Sequence, residues 1–157
     1  MADDAEASAW QVVELAAVDT HPIRLAVLRA DTVSKVVTFA EDEWPGARHL
    51  GVRGPDGLLV AVSSWIPRER TTRPDIAAVQ LRGMATLQHL HGHGLGGLLV
   101  EAGCAQAAAD GARLVWANAR DAALGFYLRH GFAIDSEGFI EQVTGLPHHV
   151  IVRELAR

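Results

Sequence analysis

Residues 89–100 read HLHGHGLGGLLV, and two chemistries compete for them. His89, His91 and His93 alternate, as imidazoles ligating a metal from one face of a strand would. Gly92, Gly94, Gly96 and Gly97 are interleaved with and follow them, and glycine removes the Cβ where backbone must approach something closely. For a metal, no acidic residue lies beside the histidines, the HExxH pattern is absent, and His148 and His149 are far along the chain. The expectation is no metal site. The glycines are better placed. They follow a strand-like segment and open a helix-like one, and the first amides of a helix are unpaired and partially positive. Phosphate oxygens can be held there. From the glycines alone, a phosphate cradle over Gly92 to Gly97 and a tight turn with close helix–sheet packing are equally good readings. Two specific cradles are excluded. There is no GKS or GKT of a P-loop, and a dinucleotide fingerprint belongs after the first strand, with an acid about twenty residues on.

The elements around this run are legible from periodicity and turn residues. Residues 10–18 (WQVVELAAV) predict a first strand. Asp19-Thr20-His21-Pro22 predicts a helix start, with the helix over 22–29. VSKVVTF (33–39) suggests a short strand and AEDEWPGA (40–47) a loop. RHLGVRG and LLVAVSSWI flank Gly54-Pro55-Asp56-Gly57, a hairpin signal. A long strand is expected over 76–87. After the glycines comes a helix closed by Gly111, whose apolar face is read as Leu95, Leu98, Leu99, Ala102 and Ala109. ARLVWANA predicts a buried strand, and DAALGFYLRHG a second helix ending in glycine. FAIDSEGFI and PHHVIVREL are the closing strands. A hairpin-rich first half followed by β-α-β-α-β-β predicts an α/β (α+β) mixed sheet with helices on both faces.

Composition narrows the class. With 157 residues, 49% hydrophobic and 21% charged, the chain fits one domain with a core. Residues 1–9 are expected to be a flexible N-terminal tail and 10–157 a single domain. No apolar run is long enough to span a bilayer, and the acidic start lacks the features of a secretory signal. The one cysteine, Cys104, excludes a disulfide framework, so a cytoplasmic location is expected. Net charge is −5 and no basic run tracks phosphates, so nucleic-acid binding is not expected. By a weak field argument, an acidic chain favours cationic substrates.

Two segments together resemble a known superfamily, the GNAT N-acetyltransferases. His91-Gly92-His93-Gly94-Leu95-Gly96 is similar to their Q/R-x-x-G-x-G/A loop at a helix start. LVWANARDAALGFYLRHGF, about thirty residues on, is similar to the strand and helix that end in A-x-x-F-Y-x-x-x-G-F in many members. The resemblance covers about residues 79–132. It implies a mostly antiparallel sheet whose strands splay at an acetyl-CoA site, and acetyl transfer from acetyl-CoA to an amine of a small molecule or protein. It further implies that backbone amides at His93, Gly94, Gly96 and Gly97, with Gly92 and Leu95 in the same loop, hold the pyrophosphate. Met84, Ala85 and Thr86 should pair with the pantetheine arm, and Asn118 and Tyr127 should lie near the thiol. His91 departs from the pattern, standing where Arg or Gln is usual. That departure and the missing base leave a non-catalytic CoA-binding regulatory module as the alternative.

The chemistry requires an unprotonated amine, N–H donors for an oxyanion and a proton for the departing thiolate. Met84 to Thr86 are the expected donors and Tyr127 the expected acid. The base is open among Glu41, Asp42, Glu43, Glu69 and water. Cys104, Trp65 and Trp116 read as core. Trp44 could line an acceptor pocket, Arg82 could face the acceptor or an acid, and His148 and His149 could border the acceptor side or be surface histidines. Homodimerisation could use the apolar VIV of the last strand at a sheet edge.

Overall fold

A computed structural model of the protein describes residues 9–156. Most of the tail expected over 1–9 lies outside them. The strands are β1 (Gln11–Leu15), β2 (Arg48–Arg53), β3 (Leu59–Pro67), β4 (Ala78–Thr86), β5 (Leu114–Arg120), β6 (Ala133–Ile134), β7 (Phe139–Ile140) and β8 (Pro147–Glu154). The α-helices are α1 (His21–Ile23), α2 (Leu95–Ala109) and α3 (Leu124–Arg129). One sheet runs β1-β2-β3-β4-β5-β8-β6, with β7 also on β8. Every pairing is antiparallel except β4 with β5, whose connection runs through α2 as a parallel pair demands. The mixed, mostly antiparallel sheet is as expected.

The sheet buries both faces. On one, Trp65, Val79, Leu81, Val115, Ala117 and Ala119 pack with Leu95, Leu99 and Cys104 of α2 and Tyr127 of α3. On the other, Val62 and Ala85 pack with Leu15 and Ile23. The buried face of α2 differs from the predicted one. It comprises Leu95, Leu99, Val100, Gly103, Cys104 and Ala107, while Leu98 is 41% exposed. The helix is apolar nearly all round, so periodicity alone misjudged its inward face. Gly103 fixes that face: a Cβ there would stand 1.9 Å from the Trp65 ring. Cys104 is core as expected, and burial pushes its thiol up to about 11.

Three other expectations change. The first helix forms, but after Ile23 it widens into a π-helical turn, Arg24–Leu28, closed by Arg29 N–H on the Arg24 carbonyl at 3.2 Å. Residues 33–39 join no sheet, and side chains take two of their carbonyls: Arg24 Nη1 the Val37 oxygen at 2.7 Å and Arg29 Nε the Val36 oxygen at 2.8 Å. And β8 is no edge. Val150, Ile151 and Val152 face β5 on one side, and Ile151 and Val152 face β6 on the other, so the VIV route to a dimer is closed.

Arg24 is the anchor of this region, 1% exposed. Its guanidinium holds Asp42 through two 2.9 Å bonds, donates to Ser64 Oγ at 2.8 Å and lies 3.9 Å from the Phe39 ring centroid. His49 Nδ1 meets the same Ser64 hydroxyl at 2.7 Å. Burial alone would raise the Asp42 carboxyl; hydrogen bonds from Arg24 and the Phe39 amide outweigh it and hold the group below its usual range. Its stabilising effect is therefore present above the unfolded carboxylate pKa and lost as pH falls. Asp42→Asn is expected to cost about 3–5 kcal/mol by urea unfolding, since it strands a buried guanidinium, and to flatten the loss of stability below about pH 4. Gly103→Ala is expected to cost about 1–3 kcal/mol in the same measurement, from overpacking against Trp65.

Candidate active site

The parallel contact between β4 and β5 is short. It covers Ala78–Leu114, Val79–Val115 and Gln80–Trp116 and then ends, although both strands continue. The cause lies on the other side of β4. Val62 opposes Ala85 and Ser64 opposes Arg82, so Gly83 and Met84 together face Ser63 alone. That is a bulge, which bends and twists the strand that carries it. Gly83 permits it with φ +62, and a side chain there would also crowd the Phe39 ring at 3.0 Å and Arg24 Nε at 3.3 Å. Beyond Gln80 the two strands part and leave a cleft of about 560 Å³. The splay is as expected; the bulge that produces it was not anticipated, and Gly83 inside a strand pattern was its one sequence signal.

Met84, Asn118 and Tyr127 all line this cleft. Asn118 is exposed on the open edge of β5. Tyr127 comes from α3, where Gly131 at φ +85 turns the chain and the His130 and Phe132 amides close on the Tyr127 carbonyl at 3.0 and 3.1 Å. Its ring is held edge-on by Phe126 at 5.0 Å and Phe132 at 5.4 Å. Burial pushes the phenol above its usual range, so it keeps its proton and offers a donor. Ala85 points into the opposite core and stands opposite Val62 of β3, so it is Thr86 whose carbonyl faces away from β3.

The glycine loop stands apart from the cleft, at the start of α2. Gly92 (φ +88) and Gly94 (φ +77) take left-handed conformations in open space, and Gly94 is the N-cap. The first bond inside the helix is Leu98 N–H to the Gly94 carbonyl at 3.2 Å, so the Leu95, Gly96 and Gly97 amides have no acceptor among the described residues. Unpaired amides at a helix start are the arrangement that holds anions. The His93 amide, expected to join it, already reaches the Leu90 carbonyl at 3.4 Å. Gly96 and Gly97 have a second reason: a Cβ would meet Phe126 at 2.9 Å and His130 at 2.7 Å. The first turn of α2 is thus pressed against the helix that carries Tyr127. His91 Nε2 donates to the Thr86 carbonyl at 2.9 Å, tying the loop to the end of β4. His93 lies tilted by Trp10, and no group of three or more His, Cys, Asp or Glu side chains gathers as a metal cluster among the described residues.

Among the expected bases, only Glu41 lines the cleft, and both its oxygens are engaged, Oε1 by Arg68 at 3.0 Å and Oε2 by Arg82. Arg82 therefore faces both the cleft and an acid. Asp42 is sealed against Arg24, while Glu43 and Glu69 are exposed and outside the cleft. Trp44 is also outside it, 5.2 Å from the Arg68 guanidinium. His148 turns out to be 5% exposed and in the cleft wall. Its Nδ1 lies 2.8 Å from the Leu146 carbonyl, which can only accept, so Nδ1 carries the proton and Nε2 is bare in the neutral ring. His149 instead pairs with Asp121 at 2.6 Å.

Known proteins are similar to this chain in sequence and in fold. The sequence profile of the Acetyltransferase (GNAT) domain matches residues 39–134. The uncharacterized N-acetyltransferase YitI of Bacillus subtilis (strain 168) is 30% identical over 147 residues, 94% of this chain and 97% of its own. In fold, a candidate N-acetyltransferase of Lactobacillus plantarum superposes with TM-score 0.78 at 18% identity, covering 94% of this chain and 99% of that one. Escherichia coli ElaA does so with TM-score 0.72 at 20% identity, covering 92% and 98%.

Gly94→Ala forces a side chain into a left-handed cap beside the unpaired amides. It is expected to weaken CoA binding about tenfold by calorimetry, with the unfolding midpoint lowered only modestly.

Proposed function

The chain belongs to the GNAT acetyltransferase family, and on that premise we propose that it transfers the acetyl group of acetyl-CoA to an amine of a small molecule or protein, by direct attack on the thioester. The observation that supports this most is that the splayed strands hold Tyr127 and Met84 in one cleft, while the unpaired amides of the α2 cap lie pressed against the same tyrosine-bearing helix. Bound across these, acetyl-CoA supplies an activated thioester; the amide C–N bond forms as the C–S bond breaks. We read residues 10–157 as one catalytic domain. The single cysteine suits a reducing cytoplasm, and no described helix is long and apolar enough to cross a membrane.

Each residue then has a limited task. The Leu95, Gly96 and Gly97 amides, with Gly92 and Gly94 shaping the loop, hold the pyrophosphate. The edge of β4 that β5 leaves uncovered from Met84 to Thr86, where the Thr86 carbonyl already takes His91, receives the pantetheine arm and directs N–H groups at the carbonyl oxygen where negative charge develops. Asn118 lines the opposite strand. His148 Nε2 accepts the proton shed by the attacking nitrogen, a task suited to imidazole near neutral pH. Tyr127 Oη donates its hydrogen bond to the departing sulfur. A free thiol titrates near about 8.5, below a buried phenol, so the phenol steadies the sulfur as its charge develops and solvent completes the exchange. In sum the nitrogen loses one proton and the sulfur gains one.

Saturating CoA is expected to raise the melting temperature of the protein by linkage, and no shift would refute the cofactor assignment. Tyr127→Phe should lower kcat about tenfold or more, with KM for acetyl-CoA changed less than about threefold. His148→Gln should lower kcat about a hundredfold at pH 7, with the loss shrinking as pH rises and the free amine grows more abundant.

A further inference from the structure

The cleft is richer in positive charge than the chain. The protein as a whole carries −5, yet Arg29, Arg82 and Arg120 line the cleft against Glu41 and Glu141. Arg82 is matched by Glu41, but Arg29 and Arg120 form no ion pair within 4 Å among the described residues. Both converge instead on one carbonyl, that of Leu28, with Arg120 Nη2 at 2.8 Å and Arg29 Nη1 at 3.4 Å. Arg29 is fixed further by its Nε bond to Val36. Arg29 Nη2 and Arg120 Nε and Nη1 then have no protein acceptor among the described residues, and none of them is sealed from solvent.

Two guanidinia held together without an ion-pair partner repel each other. Burial first, and then the Arg120 charge, push Arg29 below the usual guanidinium range. Glu141 offsets this only in part, from beyond ion-pair distance. Its Oε1 accepts the Val143 amide at 2.9 Å and its Oε2 the Thr144 amide at 2.8 Å, bonds that outweigh burial and keep it ionised. Nor does the glycine loop reach these arginines, since no residue of it lines the cleft. The pair therefore lies away from where the pyrophosphate would be held and beside the His148 wall, Arg120 standing opposite His148 in the β5–β8 register.

We propose that Arg29 and Arg120 clamp an oxyanion on the acceptor, so that the substrate is an amine that also carries a carboxylate or phosphate. The donors left free on these two guanidinia suit the planar, multidentate recognition of such groups by arginine. An ammonium on the same molecule faces Glu141 and His148, where it can be held and then deprotonated. The acidic net charge of the chain suits a cationic amine; the local charge of the cleft adds a place for an anion on the same molecule. This inference rests on the acetyl-transfer reading for its substrate, though not for its binding site.

The test pairs each anionic amine with its neutral partner: glycine, β-alanine and 4-aminobutanoate against their amides, and phosphoethanolamine against ethanolamine. Thiol release from acetyl-CoA is measured with wild type, Arg120→Gln and Arg29→Gln. At least one anionic amine should be preferred over its neutral partner by tenfold or more in kcat/KM, about the worth of one charge-assisted contact. Its KM should rise about thirtyfold in Arg120→Gln, with the neutral partner little changed. Carboxylate against phosphate preference identifies the oxyanion. Equal use of the anionic and neutral partners by wild type would overturn the clamp and leave acetyl transfer standing. A second readout is melting temperature with CoA present. If no amine is acetylated but an anionic amine still raises the melting temperature of wild type and not of Arg120→Gln, the clamp stands and acetyl transfer falls. If neither turnover nor a shift is seen, the clamp is rejected.

Discussion

Strand β4 cannot serve both its neighbours along its full length, and the site follows from that constraint. A strand pairs on two edges only while it stays in register with both. The bulge at Gly83-Met84 keeps β4 on β3 but turns it away from β5 after Gln80. The cleft forms where the edges part, with the glycine loop standing apart from it. The open backbone of β4 beyond the bulge, Asn118 on β5 and Tyr127 on α3 share one space because the sheet fails to close there. A regular strand would bury those amides in a ladder and fill the gap with paired backbone.

The glycines of the chain divide by physical role. Gly83, Gly92 and Gly94 are required by left-handed backbone, two of them where no atom of the protein comes near. Gly96, Gly97 and Gly103 are required by contact, with Phe126, His130 and Trp65 pressing against them. The tight-turn reading and the phosphate-cradle reading of HLHGHGLGGLLV are therefore not rivals. The loop presents unpaired amides, and the same run seats the helix against the one that carries Tyr127.

Charge is distributed as unevenly as the glycines. Arg24 with Asp42, and Arg68 and Arg82 with Glu41, fasten the 36–44 segment over the sheet. Of these pairs only Arg24 with Asp42 is buried on both sides; such a pair adds little net stability against an apolar alternative, but breaking it is costly. Arg29 and Arg120 differ in having only carbonyl partners. Their charge stays available to whatever enters.

The sequence by itself determined what is local or pattern-borne. The hairpin around Gly54-Pro55-Asp56-Gly57, the strand–glycine–helix order and the aromatic segment ending at Phe132 are set by turn chemistry, caps and periodicity over a few residues. Those were enough for the fold class and the family. Only the tertiary structure decided what depends on residues distant in the chain. The inward face of α2 was set by Trp65 seated on Gly103, not by an amphipathic stripe. The 33–39 segment joined no sheet, and Arg24 and Arg29 reached two of its carbonyls. His148 became a cleft residue because β8 lies beside β5, and its tautomer was fixed by the Leu146 carbonyl. Arg29 and Arg120, 91 positions apart by their numbers, were brought to one carbonyl by the fold. Periodicity reports which way a side chain leaves its own element; which other charge it then meets is settled by packing.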